Sequence, residues 1–461
     1  MRKAGPLKRI FITTSLLVLF TAGLSLLAAS QKADPHQTGL KIGLADTVIT
    51  PFLDIPLAGY YYPRMPVGVH DNLHAKALVL DNGSTRIALV ACDLVKVPRE
   101  AVEDARKRIQ ETLGIPPDHV LISADHSHTG PLANPAYTEL LGHWIADSVE
   151  TAAHRTVKAS LFVGSAMEPK LAHNRRYLMK DGTVATNPGF LNPDVVKPVG
   201  PIDPRVAVLF AKGDDGHPLM TWVNYAMHQD TVGGDWISAD YSYFLARALA
   251  RFKGPDMLTI FTIGAAGDIN HWDVHQPGPQ RGFATAQRIG EVLGADVLKA
   301  YTSLKPVATN EIRAISEEVD LPIQKVTLQE VDSARKVMAT PPPPNVDFTL
   351  ERVNARKVVT IADRNGRDLS EEVQVLTIGP VAFVGIPGEL FVQLGRQIVE
   401  RSPFPNTFIV ELANDDVGYI PTKRAFSEGG YEPTSSILEP GDGEKLVSTA
   451  IKLLNRLKSG N

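Results

Sequence analysis

The chain has 461 residues, 44% hydrophobic and 21% charged, with ordinary glycine and proline content. That composition describes a globular protein, long enough for one large core or two domains. The formal net charge is −4, with Arg2, Lys3, Lys8 and Arg9 gathered in the first thirty residues, which argues against a nucleic-acid partner.

In chain order, residues 1–30 read as a signal peptide: a basic start, an apolar run from Ile10 to Leu27, then Ala28-Ala29-Ser30 ahead of polar Gln31-Lys32. The protein is expected to be exported, secreted or periplasmic, with an uncleaved N-terminal anchor as the alternative because the apolar run is long. Residues 31–38 read as a polar, disordered linker, and residues 39–461 as one domain. The sole cysteine, Cys92, lies in the apolar run Ile87–Leu94. An exported chain with one cysteine has no internal disulfide, so its stability must come from its core, in which Cys92 reads as a small buried hydrophobe.

A strand is expected over 41–46, followed by an aromatic loop, Gly59-Tyr60-Tyr61-Tyr62-Pro63-Arg64, which reads equally as a pocket rim or as surface packing. Two apolar runs, 75–80 and 86–91, flank the turn signal Asp81-Asn-Gly-Ser and predict a hairpin. A helix over 99–113 leads to Leu121-Ile-Ser-Ala-Asp-His126-Ser-His128-Thr-Gly-Pro131, an apolar strand running into two histidines. In an extended strand residues two apart share a side, so His126 and His128 can face one pocket, as metal ligands or as an acid/base pair. The alternative is one buried and one solvated histidine.

A second helix is expected over 137–157. Strands over 206–211, 219–225 and 257–263 follow, the second delivering His228 and the third Gly267-Asp268-Ile269-Asn270-His271. Ser238 opens a helix to 252, another spans 281–302, and Thr327-x-x-Glu330 is a capping-box helix start. The proline run 341–344 and the charged stretch to Arg367 read as a peripheral insertion. A hairpin over 373–386 leads to Pro387-Gly388-Glu389 and a helix over 390–400. The strand 408–412 leads to Asn414-Asp-Asp-Val-Gly-Tyr419, and a final helix covers 443–457. The alternation predicts an α/β fold, mixed β-sheets layered with helices, with a site at the strand ends. His126, His128, His228, Glu389 and Tyr419 offer the nitrogen and oxygen donors of a hydrolytic zinc site, although no short motif binds them together.

Six segments, 123–131, 224–228, 237–240, 267–270, 387–389 and 414–422, together with Gly43–Ala77, resemble the neutral/alkaline ceramidase family in the same order along the chain. The resemblance implies an α/β zinc amidase that cleaves the N-acyl bond of ceramide. It implies one Zn²⁺ per chain, held by His126, His228, Glu389 and Tyr419, with His128 and Arg175 stabilising an oxyanion and Tyr431 as a further active-site tyrosine. The substrate would be a small amphiphile, an N-acyl lipid, and contact with a membrane surface is compatible with it. Two departures stand out. The family's Gly-Asp-Val-Ser-Pro serine is replaced by Asn270, which donates and accepts hydrogen bonds but cannot act as a nucleophile. The second is length: the family's C-terminal immunoglobulin-like domain is expected to be absent, because residue 461 follows soon after the segments that carry the resemblance. The alternatives are another amide or ester substrate, or a relative that binds ligand without turnover.

Overall fold

Alternation in the hairpin His74–Asp81 and Arg86–Cys92 sends Leu78, Leu80, Ile87 and Leu89 to one face and Ala75, Ala77, Val79, Ala88 and Val90 to the other. All nine are fully buried, so the sheet that holds them has a packed layer on each side. The computed structural model describes residues 39–308, 311–340 and 349–460, which form a single unit. The expected leader and linker, and the prolines at 341–344, lie outside the described residues.

The larger sheet runs in the order Leu258–Ile263, Pro218–Tyr225, Arg205–Gly213, Val157–Met167, Lys41–Val48, His74–Asp81, Arg86–Cys92, Val120–Ala124, with Lys305–Pro306 pairing Val157–Met167. It is antiparallel in the middle and parallel in the outermost pair at each end. A smaller sheet is built from Ile312–Leu321, Leu369–Ile378, Val381–Gly385 and Asn406–Val410, the last two parallel. Its own alternation turns Leu376, Ile378, Phe383 and Phe408 onto Leu78, Leu80, Trp222 and Ile260 of the larger sheet, and Val373, Val375, Val384 and Ile409 toward the helices Val392–Arg401 and Asp442–Ser459. On the far face of the larger sheet pack Arg99–Leu113, Pro135–His154, Asp240–Lys253 and Phe283–Tyr301. The result is helix, sheet, sheet, helix, in agreement with the layered α/β expectation.

The two sheets are also stitched at their edges. Asn414 donates its N–H to the Ile122 carbonyl at 2.7 Å and accepts the Ile122 N–H on its side chain at 3.0 Å. Toward the opposite edge, one strand in, Asn224 Nδ2 donates to the Ile409 carbonyl at 2.8 Å. The carboxyl ends of Val120–Ala124, Pro218–Tyr225, Leu258–Ile263, Val381–Gly385 and Asn406–Val410 therefore meet, and each leads into a turn named above.

The charged stretch to Arg367, read as a peripheral insertion, contains an element that the sequence reading did not name. It forms a helix, Leu350–Asp363, that shares a small core of Val331, Ala334, Ala355 and Val358 with Leu328–Ala339. Leu350–Asp363 also packs on the short helix Tyr431–Ser435. Among the described residues no helix is long and apolar enough to cross a membrane.

Candidate metal centre

Val120–Ala124 ends two residues before His126, whose φ of 72° lies in the left-handed region. The pair His126 and His128 thus converges through a turn rather than through strand alternation, which corrects the geometric reason given for it while leaving both side chains together. Their rings stand 4.7 Å apart edge to face, with the two Nε2 atoms 3.2 Å apart. Gln229 fastens this turn to the next, accepting the His128 N–H on its carbonyl at 3.0 Å and donating its side-chain amide to the Asp125 carbonyl at 2.9 Å. His228 arrives beside His126, its ring centroid 4.5 Å from that of His126 and 5.8 Å from that of His128. The ligating atoms of His126, His128 and His228 lie within 4.8 Å of one another.

Glu389 completes the group. The turn that carries it is bonded on both sides: Glu389 N–H donates to the Gly418 carbonyl at 2.9 Å, and Gly267 N–H donates to the Leu390 carbonyl at 2.9 Å. Gly267 is required there, since a Cβ would stand 2.3 Å from the Glu389 carbonyl oxygen. Glu389 Oε2 lies 3.4 Å from His126 Nε2 and 3.2 Å from His228 Nε2. His126 Nδ1 is 2.9 Å from the Val95 carbonyl, and His228 Nδ1 is 2.9 Å from the Ala266 carbonyl. A carbonyl accepts only, so both imidazoles carry their proton on Nδ1 and present the Nε2 lone pair to Glu389. Three electron-rich atoms therefore face one another in a buried space, and neither His228 Nε2 nor Glu389 Oε2 makes a hydrogen bond.

That donor set fits a zinc ion. Ligands held 2.0–2.1 Å from zinc at tetrahedral angles stand about 3.3 Å apart, which matches the separations of Glu389 Oε2 from His126 Nε2 and His228 Nε2. The electrostatics agree. Burial tends to raise the pKa of Glu389, but His126 and His228 hold it well below the usual carboxylate range. Burial lowers the basicity of His126, yet Glu389 reverses this and the net shift is upward. His228 is held well below the usual imidazole range by burial, then by Arg175 and His126, and burial takes His128 down to about 3. Glu389 thus stays ionised beside imidazole nitrogens, an arrangement that a bound cation would stabilise.

Of the remaining expected residues, Tyr419, Arg175 and Tyr431 adjoin Glu389 through a chain of contacts. Tyr419 pairs with Glu389 in a two-residue parallel ladder, and the Arg175 guanidinium lies 5.4 Å over its ring. Burial, reinforced by Glu389 and opposed by Arg175, pushes the Tyr419 hydroxyl well above its usual pKa. Arg175 donates from Nε to Glu432 Oε1 at 2.7 Å and from Nη2 to the Gly267 carbonyl at 2.8 Å. Tyr431 stacks edge to face on Tyr419 at 5.4 Å, and its hydroxyl is 3.1 Å from that of Tyr61. Asn270 is engaged at both ends: its Nδ2 donates to Asn187 Oδ1 at 3.0 Å and its Oδ1 accepts the Trp272 N–H at 3.1 Å.

Sequence reading did not single out Glu432, Asp230 or Glu411. Glu432 is fully buried and anchors Arg175; its position directly after Tyr431 was its only signal. Asp230 accepts the Tyr60 hydroxyl at 2.5 Å and an Arg281 amino group at 2.9 Å, and the Tyr60 ring stands 6.0 Å from His128. The aromatic loop is thus divided, with Tyr60 and Tyr61 turned to the site and Tyr62 partly exposed. A separate cleft of about 540 Å³, between Asp46, His74 and Lys76 on one side and Tyr243 and Met257 on the other, has none of the metal-centre residues in its lining.

No protein-family model matches the sequence, and no curated protein does. Solved structures do match in fold. The neutral ceramidase from Pseudomonas aeruginosa superimposes with a TM-score of 0.73 at 18% identity, over 92% of this chain and 75% of that one. A ceramidase complexed with C2 gives 0.72 at 16% identity, over 92% and 76%. The chain carries the neutral ceramidase fold, as the resemblance in its motifs implied.

Proposed function

We propose that the chain is a zinc-dependent amide hydrolase of ceramidase type, cleaving the N-acyl bond of ceramide or a related N-acyl lipid. The observation that carries this reading is the convergence of His126 Nε2 and His228 Nε2 on Glu389 Oε2, with both Nδ1 protons committed to backbone carbonyls. His126, His228, Glu389 and Tyr419 would hold one zinc. When bound there, zinc supplies Lewis acidity toward an acyl oxygen and lowers the pKa of water at an open position to about 7.

The protein's own groups supply the rest. His128 differs from the two ligand histidines in having a buried Nδ1 without a hydrogen-bond partner; its Nε2 lies 3.2 Å from the Nε2 lone pair of His126, so its proton sits on Nε2, the donor it would offer an oxyanion. Arg175, fixed at Nε and Nη2, holds a preorganised cation beside Tyr419 for the same charge, at no reorganisation cost during reaction. Asp230 braces Tyr60 against His128, and the Tyr61 and Tyr431 pair walls the space. Asn270, held by Asn187 and Trp272, would offer a fixed polar group to position substrate.

A lipid is favoured over a hydrophilic amide by the surface around the aromatic loop. Phe52 is 82% exposed, Val67 63%, Leu132 54% and Met65 51%, and this segment is bonded to the histidine turn through the Ala58 N–H and the Gly130 carbonyl. The same surface suits contact with a membrane that presents the substrate. Export is proposed from the leader alone.

A panel of N-acyl lipids, N-acyl amino acids and carboxylic esters, read by mass spectrometry with and without a zinc chelator, tests the reading. Release of fatty acid from N-acyl sphingoid substrates, lost to the chelator, is expected. Undiminished activity of zinc-free protein, or hydrolysis of esters alone, would sink it.

A further inference from the structure

Glu411 follows the strand Asn406–Val410 and is fully buried. One carboxyl oxygen, Oε2, accepts two backbone N–H groups, from Ala266 at 3.0 Å and from Leu390 at 2.9 Å. These amides belong to the two turns on which the metal centre depends. The Ala266 carbonyl accepts His228 Nδ1 at 2.9 Å, and Leu390 directly follows Glu389. The next amide along, Gly267, donates to the Leu390 carbonyl at 2.9 Å. A single oxygen thus sits where the turn behind His228 meets the turn of Glu389.

The rest of the carboxyl has no other visible use. Oε1 is buried with no hydrogen-bond partner, an unfavourable state for a polar atom. Burial holds the group well above the usual carboxylate pKa, consistent with a proton on Oε1 and both N–H bonds on Oε2. An amide side chain would reproduce that arrangement, with its oxygen in place of Oε2.

We propose that Glu411 is a positioning residue for the metal centre, a buried staple that fixes the distance between His228 Nε2 and Glu389 Oε2 by holding the Ala266 and Leu390 amides on one oxygen. The role rests on the metal-centre reading above. It acts through backbone and touches neither metal nor substrate.

Zinc affinity of the full chain, measured by competition with a chromophoric chelator, tests it in wild type, Glu411→Gln and Glu411→Asp. Gln keeps an acceptor at the same reach and is expected within about threefold of wild type. Asp is one methylene too short to reach both amides, and its affinity should fall about 10–100-fold, as for loss of other partners that orient metal ligands. Wild-type affinity in Glu411→Asp, or an equal loss in both variants, would overturn the role while leaving the metal centre standing. A wild type that takes up no zinc would overturn both. If Glu411→Asp does not fold, amide exchange in the wild type decides: zinc should slow exchange at Ala266 and Leu390 together, and exchange at these two amides that ignores zinc contradicts the staple.

Discussion

At His126 and His228 the decisive feature is the Nδ1 contact, because each backbone carbonyl fixes a tautomer and so turns an ambiguous imidazole into a directed lone pair. His128 lacks that contact, and the difference separates three neighbouring histidines into two roles. Replacing His128 with Ala should therefore leave zinc content at the wild-type level while lowering kcat by about 10²–10³, the usual effect of removing an oxyanion donor. Metal analysis alongside steady-state kinetics checks this, and loss of zinc in His128→Ala would make it a ligand instead. At the residue scale the sequence was legible in part: His126, His128, His228 and Glu389 come together, and Tyr419, Arg175 and Tyr431 adjoin Glu389 through a strand pairing and ring contacts. What stayed hidden were the groups that serve others. Glu432 and Glu411 act through an arginine and through two backbone amides, and such contacts have no sequence spacing to read. Even the His126 and His128 pair was found for an incomplete reason, because a φ of 72° at His126 has no signature in a run of apolar residues leading to Asp-His.

Among the elements, two sheets packed face to face hold the strand ends in register. Phe383 is central to that layer: it stacks on Phe408 at 5.0 Å, meets Trp222 of the opposite sheet at 5.3 Å, and is fully buried. Phe383→Ala leaves a cavity between the sheets and should cost about 3–5 kcal/mol in chemical denaturation. A loss below about 1 kcal/mol would mean that the layers close over the gap and that the packing is not what aligns them. Strands here were readable because both faces are apolar or alternate cleanly, and turn signals bound them. The helix Leu350–Asp363 was not, because its buried stripe is thin, Val353, Ala355, Val358 and Ile361, set among Arg352, Asn354, Arg356 and Lys357. Only its packing on Leu328–Ala339 and on Tyr431–Ser435 makes it an element. Arg356 then lies 5.2 Å over the Tyr61 ring, so a segment that reads as peripheral touches the wall of the site.

For the whole molecule, the order of the sheets brings together turns drawn from residues 125–130, 228–234, 264–272, 387–390 and 411–420. Pairing across nearly 300 residues of sequence is what no local pattern encodes, so the donors have no common spacing that marks them as one site. The centre concentrates an ionised carboxylate, two buried imidazoles and a half-buried third in one place, an arrangement that a cation shared by distant parts of the chain would complete. The most direct measurement is metal analysis of the purified chain by inductively coupled plasma mass spectrometry, with His228→Ala as reference. The account predicts one zinc per wild-type chain and about a tenth of that or less in the variant, with circular dichroism showing both folded. Wild-type protein that is folded and metal-free after exposure to zinc, or a His228→Ala protein that retains its zinc, would contradict it.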